Sequence, residues 1–272
     1  MAMRTRIVAL GRALAISSSP HNSVSSAFST SASSNGNEPS TQQSQPLLTG
    51  MAEFLQTVQR CRARKHVFDQ YKTQNVFQPS PWAGLNNWFL FYHLNRPQNL
   101  HSTLDMVEFL DGAKHALEAT MMAMYSREFA NFAVGAIDKS EYADQLRASL
   151  EPVSLDALQQ FIKYTEDAGI RTEMQRLDIH AAYLVGAQYH RVARRPSTNA
   201  SGVQIVDAPV DERIRIQVCF EITEHVNVKL PEDDEPELLK KENVSIWQFE
   251  SVVNSPETID WMIEPLNLVS GA

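Results

Sequence analysis

The sequence predicts an α+β fold in which a long helix and several shorter helices precede an antiparallel sheet and pack on it. Three observations predict this class. Apolar residues occupy every second position of residues 214–222, apolar residues recur with a helical period in residues 106–124, and the helical period ends before the strand period begins. With 43 % hydrophobic residues in 272, the chain can bury a core.

The segment 214–222 has one apolar and one polar face. Its apolar positions carry β-favouring residues, and polar residues such as Arg215, Gln217 and Glu221 lie between them. Because side chains alternate across a strand, this pattern predicts a half-buried antiparallel strand whose apolar face must be covered. The apolar helical segments between residues 104 and 170 are the elements that can cover it.

The helix that covers the sheet is predicted to be a single long one. Ser102 with Asp105 three residues later resembles a capping box, and the apolar stripe that follows reaches Met124, so the helix should end near Tyr125. A second helix is predicted to start after Ser140 and to be broken by Pro152.

A third helix is predicted to start after Ser154 and to end at Gly169 in the left-handed conformation. After Gly169 the period shortens to two, and strands replace helices. The strands are predicted at residues 177–185, 214–228, 244–253 and 260–266, with turn-rich residues 194–212 and an acidic loop at residues 231–236 between them.

Residues 1–37 have the composition of a mitochondrial presequence. They contain Arg4, Arg6 and Arg12 and many serines, and no acidic residue occurs before Glu38. Apolar residues between positions 7 and 16 can share one side of a short helix, and Arg12 interrupts the continuous apolar run that a secretory signal needs. Residues 38–50 are rich in Ser, Gln, Pro and Thr and are predicted to be a disordered linker.

The charge balance limits the classes of partner. The chain carries 24 basic against 32 acidic residues, a net charge of −8, and loss of the three presequence arginines leaves about −11. An acidic body disfavours nonspecific binding of nucleic acid by the whole surface. No apolar run approaches the length needed to span a bilayer, so membrane contact would be peripheral. The two cysteines are far apart in sequence and are predicted to be free, buried or half-buried thiols.

Residues 51–100 form a basic amphipathic and aromatic-rich lead-in segment before the domain at residues 101–268. Apolar residues from Met51 to Phe68 recur at helical spacing, and a dense apolar cluster follows at residues 82–94. We interpret the basic side chains as a contact for ribosomal RNA or for anionic inner-membrane lipids; the alternative is a helix that packs on its own domain with its arginines in solvent. We expect the aromatic cluster to pack on the main domain rather than to meet lipid. The candidate contact residues are Arg60, Arg62, Arg64, Lys65 and Lys72.

Three stretches resemble a known family. The residues Phe-Leu-Asp-Gly-Ala-Lys-His-Ala at 109–116, Ile-Trp-Gln-Phe-Glu at 246–250 and Trp-Met-Ile at 261–263 resemble the C-terminal domain of subunit forty-four of the mitochondrial inner-membrane translocase. A large-subunit mitochondrial ribosomal protein at the tunnel exit shares that domain. The similarity covers residues 104–267 in order and spacing, although residues 194–212 are longer than is usual in the family.

The resemblance implies a fold of the cystatin and nuclear-transport-factor-like group, in which a curved antiparallel sheet wraps around a long helix. It implies a non-enzymatic adaptor without cofactor or catalytic residues, in the mitochondrial matrix and peripheral on the inner membrane. The implied partners are the mitochondrial large ribosomal subunit or translocase and insertase proteins. About sixty-five residues lie between the predicted presequence and Leu104, where the import scaffold has a long charged region, so we expect a ribosome-linked or stand-alone member.

Two side-chain groups have spacings that could support catalysis. Glu108, Asp111 and His115 share one helix face and could hold a metal, but we expect a solvated helix face, because the same helix buries its opposite, apolar stripe. Asp178 and His180 share the polar face of a strand and could act in the cone of the sheet, as in enzymes of related fold. Nothing in the sequence places a proton donor beside either of them.

A basic patch follows the first predicted strand and could contact phosphate or RNA, although charges at strand ends usually meet water. It consists of His190, Arg191, Arg194 and Arg195.

The sequence therefore predicts an adaptor that supports mitochondrial translation or membrane insertion of nascent chains. Two alternatives remain: an adaptor of the protein-import motor, and a small-molecule isomerase, hydratase or ligand binder that uses the cone of the sheet.

Overall fold

The computed structural model describes residues 45–80, 82–97, 104–193, 210–253 and 259–267. These residues form an α+β fold with a curved, open antiparallel sheet, as predicted. The predicted presequence, residues 38–44 of the linker and most of the turn-rich segment lie outside the described residues. Residues 45–50, predicted to be disordered linker, are instead the first turns of a helix, because the amphipathic helix that follows extends back through them.

Within the described residues there are seven helices and four strands. The helices are α1 Gln45–Ala63, α2 Lys65–Thr73, α3 Gly84–Leu94, α4 Met106–Met124, α5 Arg127–Ala133, α6 Glu141–Ser149 and α7 Pro152–Asp167. The strands are β1 Arg171–Ala193, β2 Val210–Lys229, β3 Glu237–Val252 and β4 Met262–Asn267.

The sheet has the order β1-β2-β3-β4, and every neighbouring pair is antiparallel. The segment 214–222 lies in β2, an interior strand, and its side chains at Ile214, Ile216, Val218 and Phe220 have no solvent exposure. They face the helices, so the predicted half-buried strand is confirmed. Burial of these side chains is the main driving force for closing the helix layer on the sheet.

The long helix α4 packs on the sheet through aromatic contacts. The ring centroid of Phe109 lies 5.6 Å from that of Phe249 in β3 and 4.6 Å from that of Trp261, just before β4. The helix is capped by Asp105, whose Oδ1 accepts a hydrogen bond from the Val107 backbone N–H at 2.9 Å. The start predicted at Ser102 is therefore too early, because the aspartate caps the helix by itself. Ser102 lies outside the described residues.

Among the shorter helices after α4, one begins earlier than predicted and one was not predicted. Ser140 caps α6 through a hydrogen bond from the Ala143 N–H, as predicted. Ser154 does not cap α7; that prediction is wrong, because Pro152 already occupies the first helical position, where its missing N–H costs nothing. Gly169 ends α7 with φ +73°, as predicted. The helix α5 was not predicted, because seven residues carry too little periodicity.

The strand β1 does not keep one apolar face along its length. The alternation predicted for residues 177–185 is interrupted where Ile179 pairs with Ile222 but Ala181 pairs with Glu221, and a further bulge follows Leu184. Each bulge inserts a residue and reverses the phase of the side chains that follow. Consequently Ala181 and Tyr183 lie on the same sheet face as Asp178, whereas the prediction placed them on the opposite face.

The first three strands are longer than predicted, and β3 begins at Glu237 instead of at residue 244. The strands β1 and β2 form twenty residue pairs, from Arg171 with Lys229 to Ala193 with Val210. Residues 210–212, predicted to belong to a turn-rich loop, are therefore the start of β2, because pairing with a neighbouring strand overrides a weak local preference. The acidic residues 231–236 form an exposed connection between β2 and β3, as predicted.

Two segments cover the outer edges of the sheet. The backbone N–H of Leu184 in β1 donates to the carbonyl of Val76 at 2.8 Å, and the Glu151 N–H donates to the Ile263 carbonyl of β4 at 3.3 Å. Phe77 is buried with Val76. The lead-in segment therefore packs on the edge of the domain through β1.

Candidate functional site

The candidate site is an exposed apolar surface on the lead-in helices α1 and α3. We call it the lead-in face and define it by the exposed side chains Met51, Phe54, Leu55 and Arg62 of α1, Trp82 before α3, and Leu85, Trp88 and Phe89 of α3. Exposed apolar surface of this extent is typical of a binding surface for protein or membrane.

The helix α3 is apolar on both of its sides. Leu90 and Phe91 are buried against the domain, whereas Leu85 and Phe89 are 73 % and 57 % exposed. Leu85, Trp88 and Phe89 are separated by three and then one residue, so they share the outward side of the helix. The prediction that residues 82–94 pack on the domain is therefore correct for one side of the helix and wrong for the other.

The helix α1 adds a second apolar stripe. Met51, Leu55 and Arg62 lie four and then seven residues apart, which places them on one side of the helix, and all three are exposed. The ring of Phe54 lies 5.8 Å from that of Tyr92 on α3, and Tyr92 lies 6.5 Å from Trp88. These ring contacts join the exposed sides of the two helices.

Two of the predicted contact residues hold the lead-in helices together. Arg60 Nη1 donates to the Pro97 carbonyl at 3.0 Å, and Arg64 Nη1 donates to Asn95 Oδ1 at 3.0 Å. Asn95 and Pro97 follow the end of α3 and are buried. Both arginines therefore connect the end of α1 to the end of α3, and their charged groups are engaged inside the protein.

The other three predicted contact residues are exposed. The Arg62 side chain forms no hydrogen bond within the part of the chain that the structure describes, and its position continues the apolar stripe of α1. Lys65 pairs with Asp69 at 2.6 Å, and the Lys72 ammonium lies 5.8 Å from the centroid of the Phe68 ring. An exposed pair contributes little to stability, so Lys65 and Lys72 can exchange these contacts for external ones.

One residue of the predicted basic patch after the first strand, Arg191, is engaged in contacts within the protein. Arg191 pairs with Glu53 of α1 at 2.7 Å and with the Tyr189 hydroxyl at 2.9 Å, and Tyr189 donates to the buried Glu212. The hydrogen bond to Glu53 raises the pKa of Arg191, and burial together with the Glu212 hydrogen bond raises the pKa of Tyr189 to about 12. His190 is exposed.

Arg194 and Arg195, the other two members of that patch, lie outside the described residues.

Asp178 and His180 lie on the sheet face away from the helices, as their predicted polar face requires. Asp178 is paired with Arg176 and His225, and the Arg176 hydrogen bond lowers its pKa to about 2. His180 Nε2 lies 2.7 Å from Thr223 Oγ1. The side chains that face the helices from β2 are apolar and buried, so the two residues do not line the inside of the sheet.

Glu108, Asp111 and His115 lie on the exposed side of α4, as the solvated-face interpretation expects. Asp111 pairs with Lys114 at 2.9 Å. Over the described residues, no group of three or more potential metal ligands comes together.

The sheet face away from the helices also carries an ionic network, near the edge formed by β4. Arg215 of β2 donates to Glu250 of β3 and to Glu264 of β4, each at 2.7 Å. Burial and the hydrogen bond with Glu250 raise the pKa of Glu264. This network connects β4 to the two strands inside it.

The two cysteines are not expected to be reactive. Cys61 and Cys219 are free and buried, as predicted. Burial raises the pKa of Cys61 to about 11 and also raises that of Cys219, so neither thiol is activated as a nucleophile.

The outward side of α3 was not predicted, although residues 84–94 carry a signal for it. Apolar residues lie on all sides of this short helix, and a helix at the edge of a domain cannot bury all of them. In the described part of the chain, no helix is long and apolar enough to cross a membrane.

No protein-family model and no curated protein matches this chain. A solved structure, the intermembrane-space region of the chloroplast protein ARC6, is similar with a TM-score of 0.30 at 9 % identity, over 60 % of this chain and 97 % of that one. A similarity this low carries no argument about family or function.

Proposed function

We propose that this chain is a non-enzymatic mitochondrial adaptor that attaches peripherally to the inner membrane and supports mitochondrial translation or membrane insertion of nascent chains. The lead-in face makes the attachment, and the acidic α+β domain meets a protein partner. The observation that carries the proposal is the exposed aromatic and aliphatic surface of α1 and α3 with Arg62 beside it.

The composition of the lead-in face favours a lipid interface over ribosomal RNA. Trp82 and Trp88 have amphipathic rings suited to the headgroup region, and Leu85 and Phe89 can enter the acyl boundary. RNA binding by phosphate contacts needs concentrated positive charge, and Arg60 and Arg64 are already bonded inside the protein. The mitochondrial location rests on the composition of residues 1–37 and on the family resemblance.

A vesicle-binding experiment tests the attachment. We expect the protein to sediment with vesicles of phosphatidylcholine and cardiolipin, and Leu85→Ser with Phe89→Ser to weaken that binding by at least about tenfold, because two exposed apolar side chains are lost from the interface. The matched control is Val153→Ser with Tyr164→Ser on α7, which are similarly exposed at 73 % and 62 % and lie outside the lead-in face. Equal binding by both double variants contradicts the proposal.

A second experiment separates the proposed partners. Detergent-solubilised mitochondria are run on a sucrose gradient at low and high salt and probed for this chain. Migration with the large ribosomal subunit supports the proposal, whereas migration with the translocase and its chaperone supports the import-motor alternative. Migration with neither complex removes both adaptor assignments.

A further inference from the structure

The strand β3 is paired on both sides along only part of its length. It pairs with β2 from Glu237 to Val252, whereas β4 contacts it only between Ile246 and Glu250. Within the described residues, no strand pairs with residues 238–244 on the side opposite β2. Such an edge presents unsatisfied backbone N–H and C=O groups that can accept another strand.

The outer face of this edge carries two exposed apolar side chains with opposite charges between them. Leu238 and Val244 are 58 % and 45 % exposed. Lys240 and Glu242 lie between them on the same face, with side chains 62 % and 82 % exposed and charged atoms 4.0 Å apart. The pattern is therefore Leu, Lys, Glu, Val at every second position.

We propose that residues 238–244 are a self-association edge, on which a second copy of this chain adds its own β3 antiparallel about a two-fold axis at Lys241. In this register Lys240 lies opposite the partner subunit's Glu242, and Leu238 lies opposite the partner subunit's Val244. Opposite charges and apolar pairs directly across antiparallel strands are stabilising. The interface is isologous, so the Lys240–Glu242 and Leu238–Val244 contacts each occur twice.

Neighbouring registers lack this complementarity. A two-fold axis perpendicular to the sheet keeps each face on its own side, so the axis must pass through a residue position. An axis at Lys240 brings Lys240 against its own copy and Leu238 against the partner's Glu242. An axis at Glu242 brings Glu242 against its own copy and Lys240 against the partner's Val244. The charge pattern therefore selects the axis at Lys241.

The other face of the edge has one like-charge contact, between Lys241 and the partner's Lys241. Glu224 of β2 lies directly beside Lys241 in the sheet register and is held by a hydrogen bond from Asn243 at 3.2 Å. A carboxylate beside each lysine reduces the repulsion between the two ammonium groups. Lysines on an edge oppose pairing with unrelated strands, so the same residues restrict the partner to a copy with the matching glutamate.

Charge exchange between two variants tests this pairing. Sedimentation velocity over a concentration series is measured for the full chain, for Lys240→Glu, for Glu242→Lys and for an equimolar mixture of the two variants. We expect each variant alone to associate about tenfold more weakly than the wild type, because both ion pairs become like-charge contacts. The mixture should recover wild-type association, since the two variants together restore both opposite-charge contacts.

Both side chains are exposed, so the variants should keep the circular dichroism spectrum and urea midpoint of the wild type. Lys163→Glu on the exposed side of α7 is the control and should leave association unchanged. A wild-type chain that stays monomeric at all concentrations overturns the proposal, as does a mixture no stronger than its components. Association that depends on Trp88 and Phe89 but not on Lys240 would place self-association on the lead-in face and also overturn it. The substitutions at Lys240 and Glu242 lie outside the lead-in face, so vesicle binding by these variants is a separate readout that should not change.

Discussion

At the scale of single residues, Arg60 and Arg62 have opposite roles although they are two positions apart. Arg60 bonds to the Pro97 carbonyl and to the Thr57 hydroxyl, whereas Arg62 lies on the exposed stripe of α1. Two positions along a helix turn the side chain by more than half a circle. Reversing the charge of Arg60, Arg62 and Arg64 together would therefore disturb the helix packing as well as any surface contact, and Arg62 alone is the informative substitution.

We predict that Arg60→Met lowers the free energy of unfolding by about 1–2 kcal/mol, because the buried Pro97 carbonyl loses its donor while the aliphatic stem is retained. Arg62→Met should change it by less than about 0.5 kcal/mol, since Arg62 is exposed. Urea unfolding followed by circular dichroism measures both. Equal losses in the two variants would show that Arg60 does not hold the helices together.

At the scale of elements, two helices end in the same way but in different surroundings. Gly135 after α5 and Gly169 after α7 have φ of +80° and +73°, and each donates its N–H to a carbonyl three residues earlier. A Cβ on Gly169 would lie 2.9 Å from Cγ of Pro231 in the β2–β3 connection, whereas a Cβ on Gly135 would meet nothing within 4 Å. The end of α7 is thus packed against the sheet connection.

Alanine at these two glycines separates backbone strain from crowding. Gly135→Ala should cost about 1–2 kcal/mol from the left-handed conformation alone. Gly169→Ala should cost more, because the proline ring must also shift. Thermal and urea unfolding of the two variants provide the comparison, and equal costs would contradict the close approach of Pro231.

The attachment of β4 should depend on pH through Glu264. Its pKa is raised above 4.5 by burial and by the Glu250 hydrogen bond, so the folded state keeps a proton that the unfolded chain has released. That stabilisation is present at low pH and is lost as the pH rises through the folded-state pKa. Glu264→Gln should therefore show a smaller fall in unfolding free energy between about pH 5 and pH 8. Identical pH profiles from urea titrations would count against it.

At the scale of the whole molecule, the protein has a negative net charge and exposes the apolar lead-in face. The net charge of −8 opposes approach to an anionic membrane, so the attachment that we propose must come mainly from burial of the lead-in face. A polybasic protein would instead be held by charge and released by salt.

Vesicle binding should therefore be only weakly sensitive to salt. We expect the affinity for cardiolipin vesicles to fall by no more than about fivefold between 0.1 M and 1 M salt, the equivalent of about 1 kcal/mol for one basic side chain at the surface. Flotation assays at the two salt concentrations measure this. Complete release at high salt would show that the basic side chains, rather than Trp88 and Phe89, provide the attachment.

Periodicity predicted the elements better than it predicted their contacts. The alternation in β2 was confirmed because every apolar side chain of that strand faces the same layer. The phase of β1 was not predictable, because a bulge at His180 has no local signature and is fixed by pairing with β2. The start of α7 was misplaced because Ser154 and Pro152 are both acceptable helix-start residues, and the proline came first.

The sequence alone determined the fold class, the order of helices before strands and the burial of the central strand, because hydrophobic period is a local property. Only the tertiary structure decided which side of α3 remains exposed and which arginines are engaged. When a helix is apolar on all sides, its sequence does not indicate which side is buried. Arg60 and Arg64 bond to partners 37 and 31 residues away in sequence. Such contacts depend on how the helices pack, which no local pattern encodes.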